Sequence, residues 1–392
     1  MKFDRAPSAA LLASFDGGLL SAMRRPLHVV VEGERVPLDP HFREDEVVAL
    51  YAGQTVVLTM RRGADGTFAA TAHETYAKQP CADVLLRRWP AHDAAGFERA
   101  LGAYLEAVQV GARWVQREGR VQLRWIGRDP SATGAPPWIP IDREVVLGHA
   151  SATARAAARA GEGFAAALQA VSELALRKGW PAPPTRGDSN EVDQLAVDAD
   201  GKRLFLVELK PRDASAVYYA PLQVLRYFVE WRRAWGGDRD AIVRSIRGVA
   251  DARATAGFGP ADVRVDDAAE LVPVIAFNDP PTREAYARML EVVSALRSFG
   301  DGEALAGLEI WAWPDGAGPR RMGAGDLPAE RVVRRCGACG SEEVVPIVYG
   351  KPSSEILAMA ARVEVALGGC LVGEAMPRWR CRACGRDAGG VA

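Results

Sequence analysis

Residues Glu191–Lys210 read EVDQLAVDADGKRLFLVELK, two apolar runs joined through DADGKR. Asp200-Gly201 in the joint is a favoured hairpin dipeptide, because Gly accepts the positive φ that a two-residue type I′ turn demands. With that pair at the turn centre, residues facing each other across the hairpin have numbers summing to 401. Asp193 then faces Glu208, and Glu191 faces Lys210. Side chains alternate with period two along a strand, so all four share one face of the sheet. Asp198 falls opposite Arg203 on the other face, where a salt bridge is the simple expectation.

Directly opposed side chains in a hairpin have Cβ atoms about 4.5–5.5 Å apart, and like charges there destabilise the pairing. Two carboxylates about 4 Å apart at an effective dielectric of about 20 repel by roughly 4 kcal/mol. Phe205, Leu206 and Val207 make the second run a buried strand, which removes easy relief by water. Either one acid takes up a proton or a cation sits between them. Mg²⁺ suits the second case, being a hard cation that takes carboxylate oxygens and keeps several waters; Mn²⁺ is its usual substitute. Lys210 beside such an ion could orient a water or neutralise a phosphate. An isolated Glu-x-Lys on a strand ordinarily marks a solvated face, and an Asp near a turn ordinarily caps it. The combination here is rarer: an acid in register, a turn that sets the register, and an apolar strand ending Glu-Leu-Lys.

The rest of the 392 residues implies two or three domains. Hydrophobic residues are 48% and charged residues 25%, enough to build a core, while a net charge of −1 excludes a broad basic field. Nucleic-acid contact would have to come from local patches. The opening MKFDRAPSAALLASFDGGLL is interrupted by Asp16-Gly17-Gly18 and does not read as a secretory signal, and no run approaches the roughly 18 apolar residues of a membrane helix. The expectation is a cytoplasmic protein with no membrane partner.

Residues 1–150 carry short strand-like runs (LHVVVEG, TVVLTM), a helical stretch from Asp93 to about Val108, and a Pro/Gly-rich close, RDPSATGAPPWIPID. They read as an N-terminal β-rich or α+β module of no assigned role, with Asp142-Arg143-Glu144 as a solvated helix start. From 151 an Ala-rich segment is helical apart from a break at Gly161-Glu162-Gly163, and PAPP at 181–184 ends it. After the hairpin come helices at Pro221–Trp235 and Asp240–Ala256, a strand at LVPVIAFN, a helix at REAYARMLEVVSALRSF and a strand at LEIWAW. This is an α/β layer pattern, spanning 151–318. The five histidines, His28, His41, His73, His92 and His149, show no metal spacing and read as structural or surface residues.

The tail, 328–392, holds Cys336-Gly-Ala-Cys339-Gly and Cys381-Arg-Ala-Cys384-Gly. Four thiolates suit a closed, tetrahedral, structural Zn²⁺ site, and each trailing Gly lets the backbone turn beneath the sulfurs. The pattern looks like a zinc ribbon, with an inserted strand and helix in the long gap between the pairs. Cys81 and Cys370 are left over as small packed residues.

The hairpin resembles the core motif of PD-(D/E)xK nucleases, with Val192-Asp193 where that family often has Pro-Asp. Downstream, PLQVLRYF carries Gln223 and Tyr227, similar to the Gln-x-x-x-Tyr helix of the RecB-like branch; i and i+4 share a helix face. The resemblance covers about 160–315 and implies a restriction-endonuclease-like mixed central sheet flanked by helices. It implies Mg²⁺ or Mn²⁺ held by Asp193, Glu208 and the Leu209 carbonyl, and a further carboxylate from the preceding helix, Glu162 in preference to Glu173. The implied activity is metal-dependent hydrolysis of phosphodiester bonds, in DNA before RNA, with catalytic roles for Asp193, Glu208, Lys210, Gln223, Tyr227 and Glu162. Between Lys202 and Arg247 ten Lys/Arg stand against five Asp/Glu, and Arg226, Arg232, Arg233, Arg239, Arg244 and Arg247 are candidates for phosphate contact. The rival expectation is a non-catalytic nucleic-acid-binding or assembly protein that keeps the same fold.

Overall fold

A computed structural model describes all residues except 1, 2, 4, 113, 114, 116, 117, 150, 152–161, 185–190, 213, 215, 299, 324–335, 337, 342, 351, 353, 362–364, 370–376, 378 and 389–392. The chain forms two compact units, Met1–Leu327 and Pro328–Ala392. Both mix strands and helices, and among the described residues no helix is long and apolar enough to cross a membrane.

The first unit contains two large sheets. The N-terminal one has five antiparallel strands in chain order, after a small hairpin of β1 (His28–Val31) and β2 (Glu34–Pro37). They are β3 (Asp39–Glu44), β4 (Val47–Ala52), β5 (Thr55–Arg62), β6 (Phe68–Thr71) and β7 (Arg88–Trp89). Helix α1 (Ala94–Ala107) covers them. Asp93 caps it, accepting from the Gly96 amide at 3.0 Å. Its inward residues Phe97, Leu101, Tyr104 and Leu105 are buried, and the Tyr104 hydroxyl donates to the Val57 carbonyl at 2.9 Å.

Six strands in the order β13-β12-β11-β10-β9-β8 make the second sheet. These are β8 (Ile139–Val145), β9 (Val192–Val197), β10 (Arg203–Lys210), β11 (Glu270–Phe277), β12 (Glu309–Ala312) and β13 (Arg320–Met322). β10, β11 and β12 run parallel, and β8, β9 and β13 pair antiparallel with their neighbours. Helix α2 (Glu118–Trp125) lies on one face, against Phe205, Val207 and Leu209, with its Trp125 packed against Trp138 and Trp313. On the other face, Leu195, Leu204 and Leu206 are buried beneath helices α3 (Glu162–Lys178), α4 (Ala220–Thr255) and α5 (Arg283–Arg297).

The boundary expected at 150 falls inside this unit. β8, from its N-terminal side, is the outer strand of the six-stranded sheet, and Ala252, Ala256 and Phe258 at the end of α4 pack into the core of the five-stranded one. Asp142-Arg143-Glu144 is strand, not a solvated helix start: Asp142 and Arg143 are buried. The His41 ring contacts both Asp39 and Asp142, the latter at 2.9 Å, while Arg5 and Arg43 reach the same carboxylate at 3.3 and 3.5 Å. Paired charges are what make burial of such a strand affordable. The two helices expected after the hairpin form one, α4, bent at Asp238 (φ −126°, ψ 24°) just after Gly236-Gly237.

The second unit is a four-stranded sheet, with Val344–Val348 paired to Ala366–Leu367 on one side and to Trp379–Cys381 on the other, and Asp387–Ala388 outermost. A helix at Ser354–Ala361 follows its first strand, so the long gap between the cysteine pairs does hold a strand and a helix.

Candidate active site and metal centres

The register of the hairpin follows from the sequence, but its turn differs from the expected one. Leu204 pairs with Val197, Phe205 with Ala196, Leu206 with Leu195 and Val207 with Gln194, every pair summing to 401. The turn itself spans four residues: the Gly201 amide donates to the Asp198 carbonyl at 3.1 Å, and Gly201 alone takes a positive φ, of 77°. Asp198 does not form the expected salt bridge. Its carboxylate caps the turn by accepting from the Lys202 and Arg203 amides, and the Arg203 guanidinium pairs with buried Glu309 on β12. Because Gly201 packs against the Arg264 backbone, a Cβ there would sit 2.8 Å from it.

One further step along that ladder brings Asp193 opposite Glu208. By alternation both lie on the face of Leu195 and Leu206, under the helices. Asp193 Oδ2 accepts the Leu209 amide at 2.8 Å, which fixes the carboxylate to the neighbouring strand. Lys210 Nζ stands 2.6 Å from Glu208 Oε1, with both side chains largely buried. Burial first, and then the charge of Glu208, push the Asp193 carboxyl well above the ordinary carboxylate range; Lys210 and the Leu209 amide oppose this without cancelling it. Burial alone would lower Lys210, but Glu208 and then Asp193 hold its ammonium above its usual value.

Tyr227, on α4, completes the enclosure. It is 2% exposed, and burial followed by the charges of Glu208 and Asp193 pushes its phenol well up, so it stays neutral. Among the described residues its hydroxyl has no hydrogen-bond partner, which costs roughly 1–3 kcal/mol in a buried donor. Gln223, four residues earlier, is exposed in the first turn of the helix, where Leu222, Val224 and Leu225 occupy the inward positions. The i, i+4 spacing therefore brings Tyr227 to the acids and leaves Gln223 on the surface.

Of the two helix carboxylates expected, only Glu173 has a described side chain. Glu162 is the first residue of α3, and its side chain lies outside the described residues. Glu173 is exposed and accepts from Gln169 at 3.0 Å. After the larger effect of Glu208, the charge of Glu118, the first residue of α2, has a minor influence on both Asp193 and Lys210. Its signal in the sequence is slight: one acid at the start of a short helix, among many such acids. Glu191 also departs from expectation. Burial and then the charge of Glu144 raise its carboxyl, opposed by the charges of Arg5, Arg43 and Arg143. Of the candidate arginines, Arg226 lies over the Phe164 ring, Arg239 over Trp235, and Arg233 and Arg247 pair with Asp301 and Asp267. Arg232 and Arg244 are exposed.

In the second unit Cys336, Cys339, Cys381 and Cys384 place all four sulfurs within 4.8 Å of one another, a group that could hold a metal ion. Each pair bends through a tight turn, the Gly340 amide reaching the Cys336 carbonyl at 2.7 Å and the Gly385 amide the Cys381 carbonyl at 2.9 Å. The amides of Ala338 and then Cys339 hold the Cys336 thiol down at about 6. The Ser341 amide favours the Cys339 thiolate too, but the Cys381 and Cys384 thiols push it up to about 12. Four sulfurs this close cannot all ionise unless a cation joins them. Cys81 is half-buried, near Gln79, and Cys370 lies outside the described residues.

Compared with known proteins, the chain matches no protein-family model, no curated protein and no solved structure.

Proposed function

We infer that this chain is a divalent-cation-dependent nuclease with a PD-(D/E)xK-like core, acting on DNA before RNA, and that its second unit is a zinc ribbon. The observation that carries the reading is the meeting of Asp193, Glu208 and Lys210 on one sheet face beneath Tyr227, whose buried hydroxyl lacks a partner among the described residues. The residues fit a Mg²⁺ or Mn²⁺ ion: two hard carboxylate donors press on each other, and one is held in place by a backbone amide. Asp193, Glu208 and the Leu209 carbonyl would hold the ion, with Glu162 the helix acid that the resemblance implies. When bound, the cation supplies positive charge that offsets the carboxylates and stabilises charge developing on a phosphate. Lys210, kept cationic by its surroundings, donates to a phosphoryl oxygen or orients the attacking water. Tyr227, kept neutral, offers a donor in a water-poor enclosure. The Cys₄ group suits Zn²⁺ in a closed structural role, since four thiolates leave no open position.

The test is cleavage of plasmid, linear and single-stranded DNA, and of RNA, by the full chain with Mg²⁺, Mn²⁺ or EDTA. Cleavage that depends on the divalent ion and is lost on Asp193→Ala and Lys210→Ala supports the assignment. Cleavage indifferent to both substitutions would end it.

A further inference from the structure

β10, β11 and β12 run parallel and side by side, so their carboxyl ends open onto one edge of the six-stranded sheet, where ligands of open α/β sheets bind. Lys210 is the last residue of β10 and pairs with Phe277, the last of β11, which pairs in turn with Ala312, the last of β12. The chain just beyond β11 and β12 is clamped by buried Arg124 of α2. One of its guanidinium nitrogens donates to the Asn278 and Trp313 carbonyls, both at 3.0 Å, and the other two to Asp315 at 2.7 Å and Asp129 at 3.1 Å.

Arg212 is held differently. It lies two residues beyond Lys210, so their Cα atoms are at most about 7 Å apart. Two consecutive residues after β11 address it. Asn278 Oδ1 accepts its backbone amide at 3.1 Å, and Asp279 Oδ2 stands 3.8 Å from its guanidinium. The other Asp279 oxygen accepts the Asp315 amide at 3.3 Å. The Arg212 backbone is thus anchored, whereas its side chain is 56% exposed and meets the carboxylate beyond hydrogen-bond range. An exposed ion pair of this length contributes little, and a phosphate offers the same guanidinium two short charge-assisted bonds.

We propose that Arg212 grips the backbone phosphate next to the scissile one, and that Asp279 is the anion the substrate displaces from it. The proposal rests on the nuclease reading given above and adds where the strand lies, across the carboxyl ends of β10 and β11. A nucleic-acid strand carries a phosphate about every 3.4 Å of axis. The neighbour of a phosphate held at Lys210 therefore falls within reach of an arginine rooted so close by. Such a contact fixes the register of the strand and reads no base.

Binding of fluorescein-labelled duplex and single-stranded DNA to the full-length protein in EDTA, followed by anisotropy, reads this contact without turnover. Arg212→Gln is expected to weaken binding about tenfold at 0.1 M salt and to lower the slope of log affinity against log salt by about one. Arg212→Lys keeps the slope and recovers part of the affinity, since a point charge replaces the fork. Asp279→Asn tightens binding in the parent, and by less in the Arg212→Gln background. A pair that served only to hold the loop would instead lose affinity on either substitution. Mg²⁺-dependent cleavage at limiting DNA falls in Arg212→Gln in parallel with binding. Unchanged affinity, salt slope and cleavage at limiting DNA in Arg212→Gln, with cleavage still lost in Lys210→Ala, overturn this proposal alone. A parent protein that cuts no nucleic acid in Mg²⁺ or Mn²⁺ overturns the nuclease reading and this proposal together.

Discussion

Asp193 is placed at a cost to the fold, and the sign of that cost can be measured. Its carboxyl is pushed up by burial and by Glu208, so the folded state binds a proton more tightly there than the unfolded chain does. The stability this gives is full below the unfolded value, near 4, and is lost as pH rises through the raised folded value. Without divalent ions, Asp193→Asn should therefore melt higher than the parent protein at neutral pH, with the gap closing below about pH 4; an unchanged or lower melting temperature would contradict the burial argument. Asn can still accept the Leu209 amide, so local geometry is retained. Adding Mg²⁺ should raise the parent's melting temperature and leave the variant's unchanged, since only a ligand of the folded state stabilises it. The same substitution should lower DNA cleavage by more than the ~10–100-fold that outer partners of a metal site contribute. Lys210→Met, which removes the charge facing Glu208, should lower cleavage while leaving Mn²⁺ binding intact or tighter. Weaker binding in that variant would mean that the lysine's role is to build the site.

At the scale of elements, the junction between β3 and β8 is held by charge. Burial alone would raise Asp142, but the hydrogen bond from His41 and the charges of Arg5 and Arg43 outweigh it and hold its carboxyl below the ordinary range. That stability is present above the unfolded value and is lost as pH falls below about 4, the opposite slope to that of Asp193. Asp142→Ala should lower unfolding free energy by about 3–5 kcal/mol at pH 7, the cost of leaving buried partner charges unpaired, and should flatten the acid limb measured by denaturant titration. This junction also marks what could not be read in the sequence. Local rules suffice for β9 and β10, where alternation and a short turn fix the register; the error in turn type left the pairs summing to 401 because the loop is symmetric about the same centre. The same holds for α1 and α5, where Asp93 and Thr282 cap the first turn. β8 looked like solvated surface because Asp39, His41 and Arg43, which neutralise it, lie about a hundred residues away in the chain.

For the whole molecule, the proposed function gives the two units that divide at Leu327/Pro328 two different metal dependences. The first unit has large apolar cores, and relief of the Asp193–Glu208 repulsion can come from a proton, so its folding should not depend on an ion. The second unit is a chain of about 65 residues whose four strands are short, a size at which a core alone supplies only about 3–5 kcal/mol. Its cysteines bring the turns at Cys336–Cys339 and Cys381–Cys384 within reach of one ion, so metal binding there would be folding free energy. A strong zinc chelator, or Cys381→Ser, should therefore abolish the folding transition of the second unit in calorimetry and leave that of the first within a degree or two. The protein stripped of zinc and returned to Mg²⁺ should retain the Mg²⁺-induced rise in melting temperature of the first unit. A single joint transition lost on chelation would show that the four-cysteine centre supports the entire chain, and the separation of a structural ion from a reactive one would have to be abandoned.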